Sequence, residues 1–245
     1  MGSRVCAFEG AVALVTGGGT GVGAAIALAL AGEGAALHLV GRRPQQLEAI
    51  ASEAQRIGIT ATCHRADLSV ASEQLELARR LERDLPQLDF LIQNAAAHSA
   101  GPIEQGNAAE LDALYHTNVR APYLLAQSLL PKLKARQGQI VFINSSGGVT
   151  AKPMSAQYDA TKHALKAIAD SLRGEVNQHG VRVLSVYLGR TATEMQAQIH
   201  RSEGKQYRPE LLLQPADVAS VVVNALRLPR TAEVTDVHIR PMIKS

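Results

Sequence analysis

The stretch Ala11-Val12-Ala13-Leu14-Val15-Thr16-Gly17-Gly18-Gly19-Thr20-Gly21-Val22-Gly23 decides the fold of this 245-residue chain. Residues 11–15 are small or aliphatic, as in a buried strand, and the Ala-rich run 24–31 beyond the glycines reads as a helix. Between the two, only glycines allow so tight a turn and so close an approach to a pyrophosphate, whose charge would meet the positive end of the helix dipole. A glycine turn alone is a weak signal, and a purely structural turn is the alternative. A strand before it and a helix after it make it a dinucleotide cradle. No Lys-Ser or Lys-Thr follows the glycines, which excludes a Walker loop.

Outward from this stretch, short apolar runs recur at 36–40, 61–64, 90–93, 140–144 and 181–187, with a last one within 233–239. The segments between them, such as 45–56 and 72–85, repeat apolar residues at helical spacing, and no linker divides the chain. Such alternation builds βαβ units with right-handed crossovers. The expected fold is therefore one α/β domain over 1–245, a doubly wound, mostly parallel seven-stranded sheet with helices on both faces. Ligands of such a sheet bind beyond the strand carboxyl ends. With 46% hydrophobic residues but only 3% aromatics, the core must come from Ala, Val, Leu and Ile, which suits this architecture. Only 192–214 breaks the rhythm, carrying Met195, His200, Arg201, Gly204, Tyr207 and Arg208 without a clean period. It reads as a mobile substrate lid, with a solvated surface insertion as the alternative.

Charge and cysteine usage exclude several function classes. The net charge is +3, with 25 basic and 22 acidic residues interspersed, so neither nucleic acid nor a membrane surface is expected as a partner. Cys6 and Cys63 are neither adjacent nor in a metal-ligand spacing, which points to reduced thiols in a cytoplasmic protein and to no metal site. No apolar run is long enough to span a bilayer. The Met1-Gly2 start lacks the Ser or Thr that myristoylation needs at position 6, and 11–15 is too short for a secretory leader.

The second apolar run ends in Val40-Gly41-Arg42-Arg43, where an NAD site would place an acid on the ribose 2'-hydroxyl. Gly41 leaves room for a phosphate there, and Arg42 can fork onto it with Arg43 alongside, favouring NADP(H) over NAD(H). A solvated arginine pair at a strand end is the alternative. Further along, Tyr158 and Lys162 lie four apart in a helical segment, 157–175, and so share one face. By itself this is modest evidence, since a surface pair or a packing tyrosine has the same spacing. The strand 140–144, however, delivers Ser145 to the same carboxyl edge.

Thr16-Gly17-x-x-x-Gly21-x-Gly23, Asn94-Ala95, Asn118, Ser145 and Tyr158-x-x-x-Lys162 follow one another in an order that resembles the short-chain dehydrogenase/reductase family over nearly the whole chain. The resemblance implies a Rossmann-type fold and an oxidoreductase that moves a hydride between NADP(H) and a carbonyl or secondary-alcohol substrate. It implies that Tyr158 is the general acid/base, that Ser145 binds the substrate oxygen and that Lys162 holds the nicotinamide ribose. Ser146 is the alternative to Ser145. Asn118, in the helical segment 108–130, is implied in a water-linked proton path, with an ordinary helix-interior polar residue as the alternative. Elementary electrostatics supports the division of labour: one positive charge ~4 Å from a phenol of pKa ~10, at an effective dielectric of ~20, favours the phenolate by about 4 kcal/mol.

The same resemblance assigns cofactor contacts to Gly17, Gly19, Thr20, Gly21, Val22 and Gly23, to Arg42 and Arg43, to Asp67 and Leu68 beside the adenine, and to Asn94, Ala95 and Ala96. Gly189, Thr191 and Thr193 follow, the last matching a carboxamide-binding threonine. Leu188 stands where the family has proline, and Ala96 where it has glycine, so a methyl group is expected in a crowded turn. His98, Met154, Arg190, Met195 and Tyr207 are candidate pocket residues, and a homodimer or homotetramer packed through the helices of Asn118 and Tyr158 is implied. A reading from a different class is a non-catalytic NADP(H)-binding redox sensor or regulator.

Overall fold

Side-chain alternation within β1 (Val12–Thr16) sets the layering: Ala13 and Val15 enter one apolar core, Val12 and Leu14 the other. A strand buried on both faces must be covered by helices on both. The computed structural model, which describes residues 6–243, supplies them. In chain order the elements are β1, α1 (Gly21–Ala31), β2 (Ala36–Gly41), α2 (Pro44–Arg56), β3 (Ala61–Arg65), α3 (Ala71–Asp84) and β4 (Phe90–Gln93). They continue with α4 (Ala108–Tyr115), α5 (Ala121–Arg136), β5 (Gln139–Ser145), α6 (Ala156–Val176), β6 (Arg182–Leu188), α7 (Glu194–Ser202), α8 (Pro215–Leu226) and β7 (Asp236–Ile239). The Met1-Gly2 start lies outside the described residues.

All seven strands pair in parallel in the order β3-β2-β1-β4-β5-β6-β7, the doubly wound Rossmann-type sheet expected from the sequence. Residues of α1, α2 and α8 line the core on one face, and residues of α3, α5 and α6 line the core on the other. The order reverses direction at β1, which pairs with both β2 and β4. A crevice opens there beyond the carboxyl ends, as it does at any such reversal. Among the described residues no helix is long and apolar enough to cross a membrane.

Two elements differ from the sequence expectation. The helix expected over 108–130 is interrupted by a π turn, His116–Arg120, between α4 and α5. Its cause lies four residues beyond Asn118: Pro122 has no N–H to give the Asn118 carbonyl, so the regular ladder cannot run through this point. The irregular 192–214 segment contains a helix, α7, capped by Thr193, whose hydroxyl accepts from Gln196 N at 3.3 Å. Hydrophobic periodicity misses α7 because the face it buries is polar, formed by Gln196 and His200 one turn apart. The base of the segment is closed by a bridge between Thr191 and Leu213.

One polar pair lies inside the sheet layer. His38 Nδ1 and His64 Nε2 are 2.9 Å apart on neighbouring strands, their rings stacked at 5.2 Å. One proton serves two nitrogens, so protonating the pair sets two donors against each other. Burial holds both imidazoles low, His64 at about 4, helped by His38 and Arg80 and opposed by Asp84. The unfolded chain therefore binds protons before the folded one as pH falls. Thermal melts should show stability intact above pH ~6.5 and declining toward pH ~4, with His64→Gln flattening that decline.

Candidate active site

At the crevice the ends of β1 and β4 are tied together. Thr16 Oγ1 donates to the Ile92 carbonyl at 3.3 Å and accepts from Asn94 N at 2.9 Å and Ala95 N at 3.0 Å. Asn94 Nδ2 returns across the gap to the carbonyls of Thr16, 3.0 Å, and Gly17, 3.3 Å. The glycine turn closes over this clamp. Gly17 and Gly21 have φ of +65° and +56°, and a Cβ at Gly23 would lie 2.2 Å from the Gly17 carbonyl oxygen and 2.4 Å from Asn94 Nδ2. No side chain caps α1 at Thr20, so its N-terminal N–H groups have no side-chain acceptor there. These residues fit the pyrophosphate of a dinucleotide.

The candidate side chains converge at the next strand end. Ser145 ends β5 and Tyr158 stands in the first turn of α6, close enough that Ser145 lowers the phenol's pKa. Ser145 Oγ accepts from Gly147 N at 3.1 Å, so the serine is held by the turn it caps. Of the two candidate serines it is Ser145 that acts on the tyrosine. Lys162 is 2% exposed and places Nζ 5.8 Å from the centroid of the Tyr158 ring while donating to the Ile143 carbonyl at 3.2 Å. Burial pushes the Tyr158 phenol up to about 12, against the Ser145 bond that lowers it and with Asp159 adding to the rise. Burial also pulls Lys162 down to about 8. The chain's own groups therefore keep the phenol protonated at neutral pH, whereas the sequence argument anticipated a lowering by Lys162.

Around this trio are groups that the sequence reading passed over. Asp159, 2% exposed, accepts from Lys152 N at 2.8 Å and from Ser155 Oγ at 3.0 Å, and it crowds Gly147 so closely that no Cβ could stand there. It fixes the turn between Ser145 and α6. Thr161 donates to the Tyr158 carbonyl at 2.7 Å and accepts from Asn118 Nδ2 at 2.9 Å. Asn118 also exchanges bonds with Ala97, accepting from its N–H at 2.8 Å and donating to its carbonyl at 2.9 Å. The Asn118 side chain thus ties the β4 loop to the catalytic helix, which leaves its carbonyl as the group that could serve a proton path. The signal for that was Pro122.

The remaining candidates divide between the edges of the crevice. Arg42 is exposed, 3.9 Å from Asp67, and Arg43 pairs with Glu194 at 3.2 Å. The Asp67 carboxyl is held below its usual range: burial opposes this, but bonds from Ser69 N and Oγ and the charges of Arg42 and Arg65 prevail. A Cβ at Gly41 would press on Leu47 Cδ2 at 3.2 Å, so the glycine also eases packing against α2. The Leu68 side chain lies in the core, and Thr191 is buried with its hydroxyl on the Gly189 carbonyl at 3.1 Å, so both have structural work apart from a ligand. The Thr193 methyl lies 3.1 Å from where a Gly21 Cβ would stand, which brings the foot of α7 onto the glycine turn, while Gly19 faces Gln46 and Leu47 of α2 and Val22 is buried in α1. Ala96 has no positive φ, so the expected methyl group needs no left-handed backbone.

Of the pocket candidates, His98 packs against Tyr158 with ring centroids 4.7 Å apart and the planes tilted by 56°. Arg190 and Tyr207 gather around His200 on α7, where Met195 is half-buried. Met154 lies apart from these, in a cleft of about 140 Å³ lined by residues 99–106 and 154–157. Because a Cβ at position 23 meets backbone that cannot retreat, Gly23→Ala should open the cradle. A fluorescence titration with NADPH should show affinity falling by about tenfold or more.

Comparison with known proteins agrees with this geometry. A family model described as short chain dehydrogenase matches residues 11–204. An uncharacterised oxidoreductase of Staphylococcus epidermidis is 32% identical over 232 residues, 94% of this chain and 97% of that protein. Among solved structures, a metagenomic short-chain oxidoreductase in complex with NADP is 31% identical, with a TM-score of 0.83 over 97% of this chain and 100% of that one. The alcohol dehydrogenase of the archaeon Thermococcus sibiricus, complexed with 5-hydroxy-NADP, is 26% identical, with a TM-score of 0.86 over 96% and 98%. With its parallel sheet, glycine cradle and Ser145-Tyr158-Lys162 cluster, the chain belongs to the short-chain dehydrogenase family of oxidoreductases.

Proposed function

We propose that this protein is an NADP(H)-dependent carbonyl reductase, converting a ketone or aldehyde to the alcohol, with Tyr158 as the general acid. The observation that carries this reading is the buried Lys162 Nζ 5.8 Å from the Tyr158 ring, with Ser145 at the adjoining strand end. A dinucleotide held by the glycine turn and Arg42 would supply a hydride, one proton with two electrons, to the carbonyl carbon. Ser145 donates a hydrogen bond to the substrate oxygen as charge develops on it. Tyr158 gives that oxygen its proton and is reprotonated through Lys162, whose Nζ is fixed by Ile143, from water held by the Asn118 carbonyl that Pro122 leaves without its regular donor. Burial keeps the Tyr158 phenol protonated at neutral pH, the form in which it can give a proton to the forming alkoxide.

Arg42 and Arg43, and the absence of an acid at position 41, support NADP(H) over NAD(H), as do the NADP-bound neighbours. The exposed Leu111, Tyr115 and Tyr123 on α4 and α5 support a homo-oligomer packed through these helices, and two free cysteines suit a cytoplasmic protein. Ordering of α7 over the cradle supports the lid reading of 192–214.

NADPH absorbance over a panel of ketones and aldehydes tests the proposal. Tyr158→Phe should lower kcat by about 10²- to 10⁴-fold with NADPH binding retained; full activity in that variant would overturn it, and NADPH binding without turnover on any carbonyl would restore the redox-sensor reading. Because Lys162 is protonated below about 8 and neutral above it, the rate of carbonyl reduction should hold through neutral pH and fall as pH rises past about 8.

A further inference from the structure

Arg190 lies two residues beyond Leu188, which pairs with Ser145 across the β5–β6 ladder, so it stands at the carboxyl edge beside the catalytic serine. Its main chain is pinned there, the carbonyl accepting from Leu213 N at 3.1 Å. Its guanidinium is forked onto a carboxylate, with Nη2 3.0 and 2.9 Å from the two oxygens of Glu203. Nη1 lies 3.5 Å from His200 Nε2. Lys205 Nζ reaches the same carboxylate at 2.8 Å. The cluster is about one-third exposed at Arg190 and Glu203, 31% each, and borders the reacting groups through His98, whose ring packs tilted against Tyr158 and lies in the field of Glu203.

Three physical features make this pair exchangeable. Glu203 occupies the C-cap of α7, the negative end of the helix dipole, where a carboxylate is disfavoured unless cations hold it. The cluster holds two permanent cations for one carboxylate, so one positive charge is unmatched. If Arg190 turns to another anion, Glu203 keeps Lys205, and no charge is stranded. The opposite end of α7 stays fastened by Glu194 on Arg43, so the exchange involves only the C-terminal turn of the helix.

We propose that Arg190 is the substrate's anion anchor, and that the substrate class is a carbonyl compound bearing a carboxylate, which takes the place of Glu203 on the guanidinium fork. This rests on the carbonyl-reductase reading above and adds to it the polarity of the substrate. Arg190 positions the substrate and takes no part in the proton transfer. Its planar donors suit a carboxylate, and one of them, Nη2, already holds both oxygens of Glu203.

The test uses matched pairs that differ only in charge: pyruvate and methyl pyruvate, acetoacetate and methyl acetoacetate, 4-oxopentanoate and its methyl ester, each with NADPH. In the wild-type protein at least one acid should exceed its ester in kcat/KM by about 10- to 100-fold, as expected for a charge-assisted pair. Arg190→Met should bring that ratio to about one, mainly through the KM of the acid. Glu203→Gln should raise the ratio, because the fork is then uncontested, and general damage to the lid would not move the two variants in opposite directions. Esters matching or exceeding acids in all three pairs, or a ratio that Arg190→Met leaves in place, would overturn the anchor while leaving carbonyl reduction standing. If no carbonyl is turned over, the reductase reading fails, and thermal melts with NADP and each acid or ester still decide the anchor: an acid-specific rise in Tm lost in Arg190→Met supports it, and equal shifts refute it.

Discussion

The clamp between Thr16 and Asn94 is the constraint on which the rest of the site depends. Two parallel strands diverge at the reversal of the sheet, and their last backbone groups would otherwise face an open crevice without partners. The Thr16 hydroxyl and the Asn94 amide satisfy them from both sides. Because Asn94 Nδ2 fills the space beneath the turn, residues 17 and 23 must be glycine, and the turn is forced into the shape that presents the α1 N-terminus outward. The anion cradle is thus a by-product of closing the gap between β1 and β4.

A second dependence links Ser145 to α6. The buried Asp159 carboxylate accepts from the Lys152 backbone and the Ser155 hydroxyl, binding the loop 146–155 to the first turn of the helix that carries Tyr158. Thr161 and Asn118 complete the support from the side of α4 and α5. None of these three residues needs to touch substrate. Their effect is to hold two hydroxyls and an ammonium in a place dry enough that burial moves both titrating groups, the phenol upward and the ammonium downward. The same desolvation that makes the phenol reluctant to ionise strengthens each hydrogen bond offered to a developing alkoxide.

The helix α7 belongs to neither packed layer. It is held at its N-terminus by Thr193 and by Glu194 on Arg43, and near its C-terminus by Glu203 on Arg190. Both arginines follow strand ends, so a helix that rests on polar contacts is attached to the carboxyl edge of the sheet at two points. A segment with few buried apolar contacts is also one that can move at small energetic cost.

The sequence alone determined the strands, their parallel winding, the glycine turn and the helical spacing of Tyr158 and Lys162, because each depends on local backbone preference or on a short hydrophobic period. It also held the cause of the π turn, since Pro122 acts on a carbonyl four residues away. Only the tertiary structure decided that Ser145 is the serine beside Tyr158, that the Asn118 side chain is engaged by Ala97 and Thr161, that Gly41 packs against Leu47, and that α7 exists with a polar buried face. These depend on contacts between separate elements or on buried polar groups that leave no apolar period. Whether such groups find partners is settled by the packing of the whole sheet, not by the residues on either side of them.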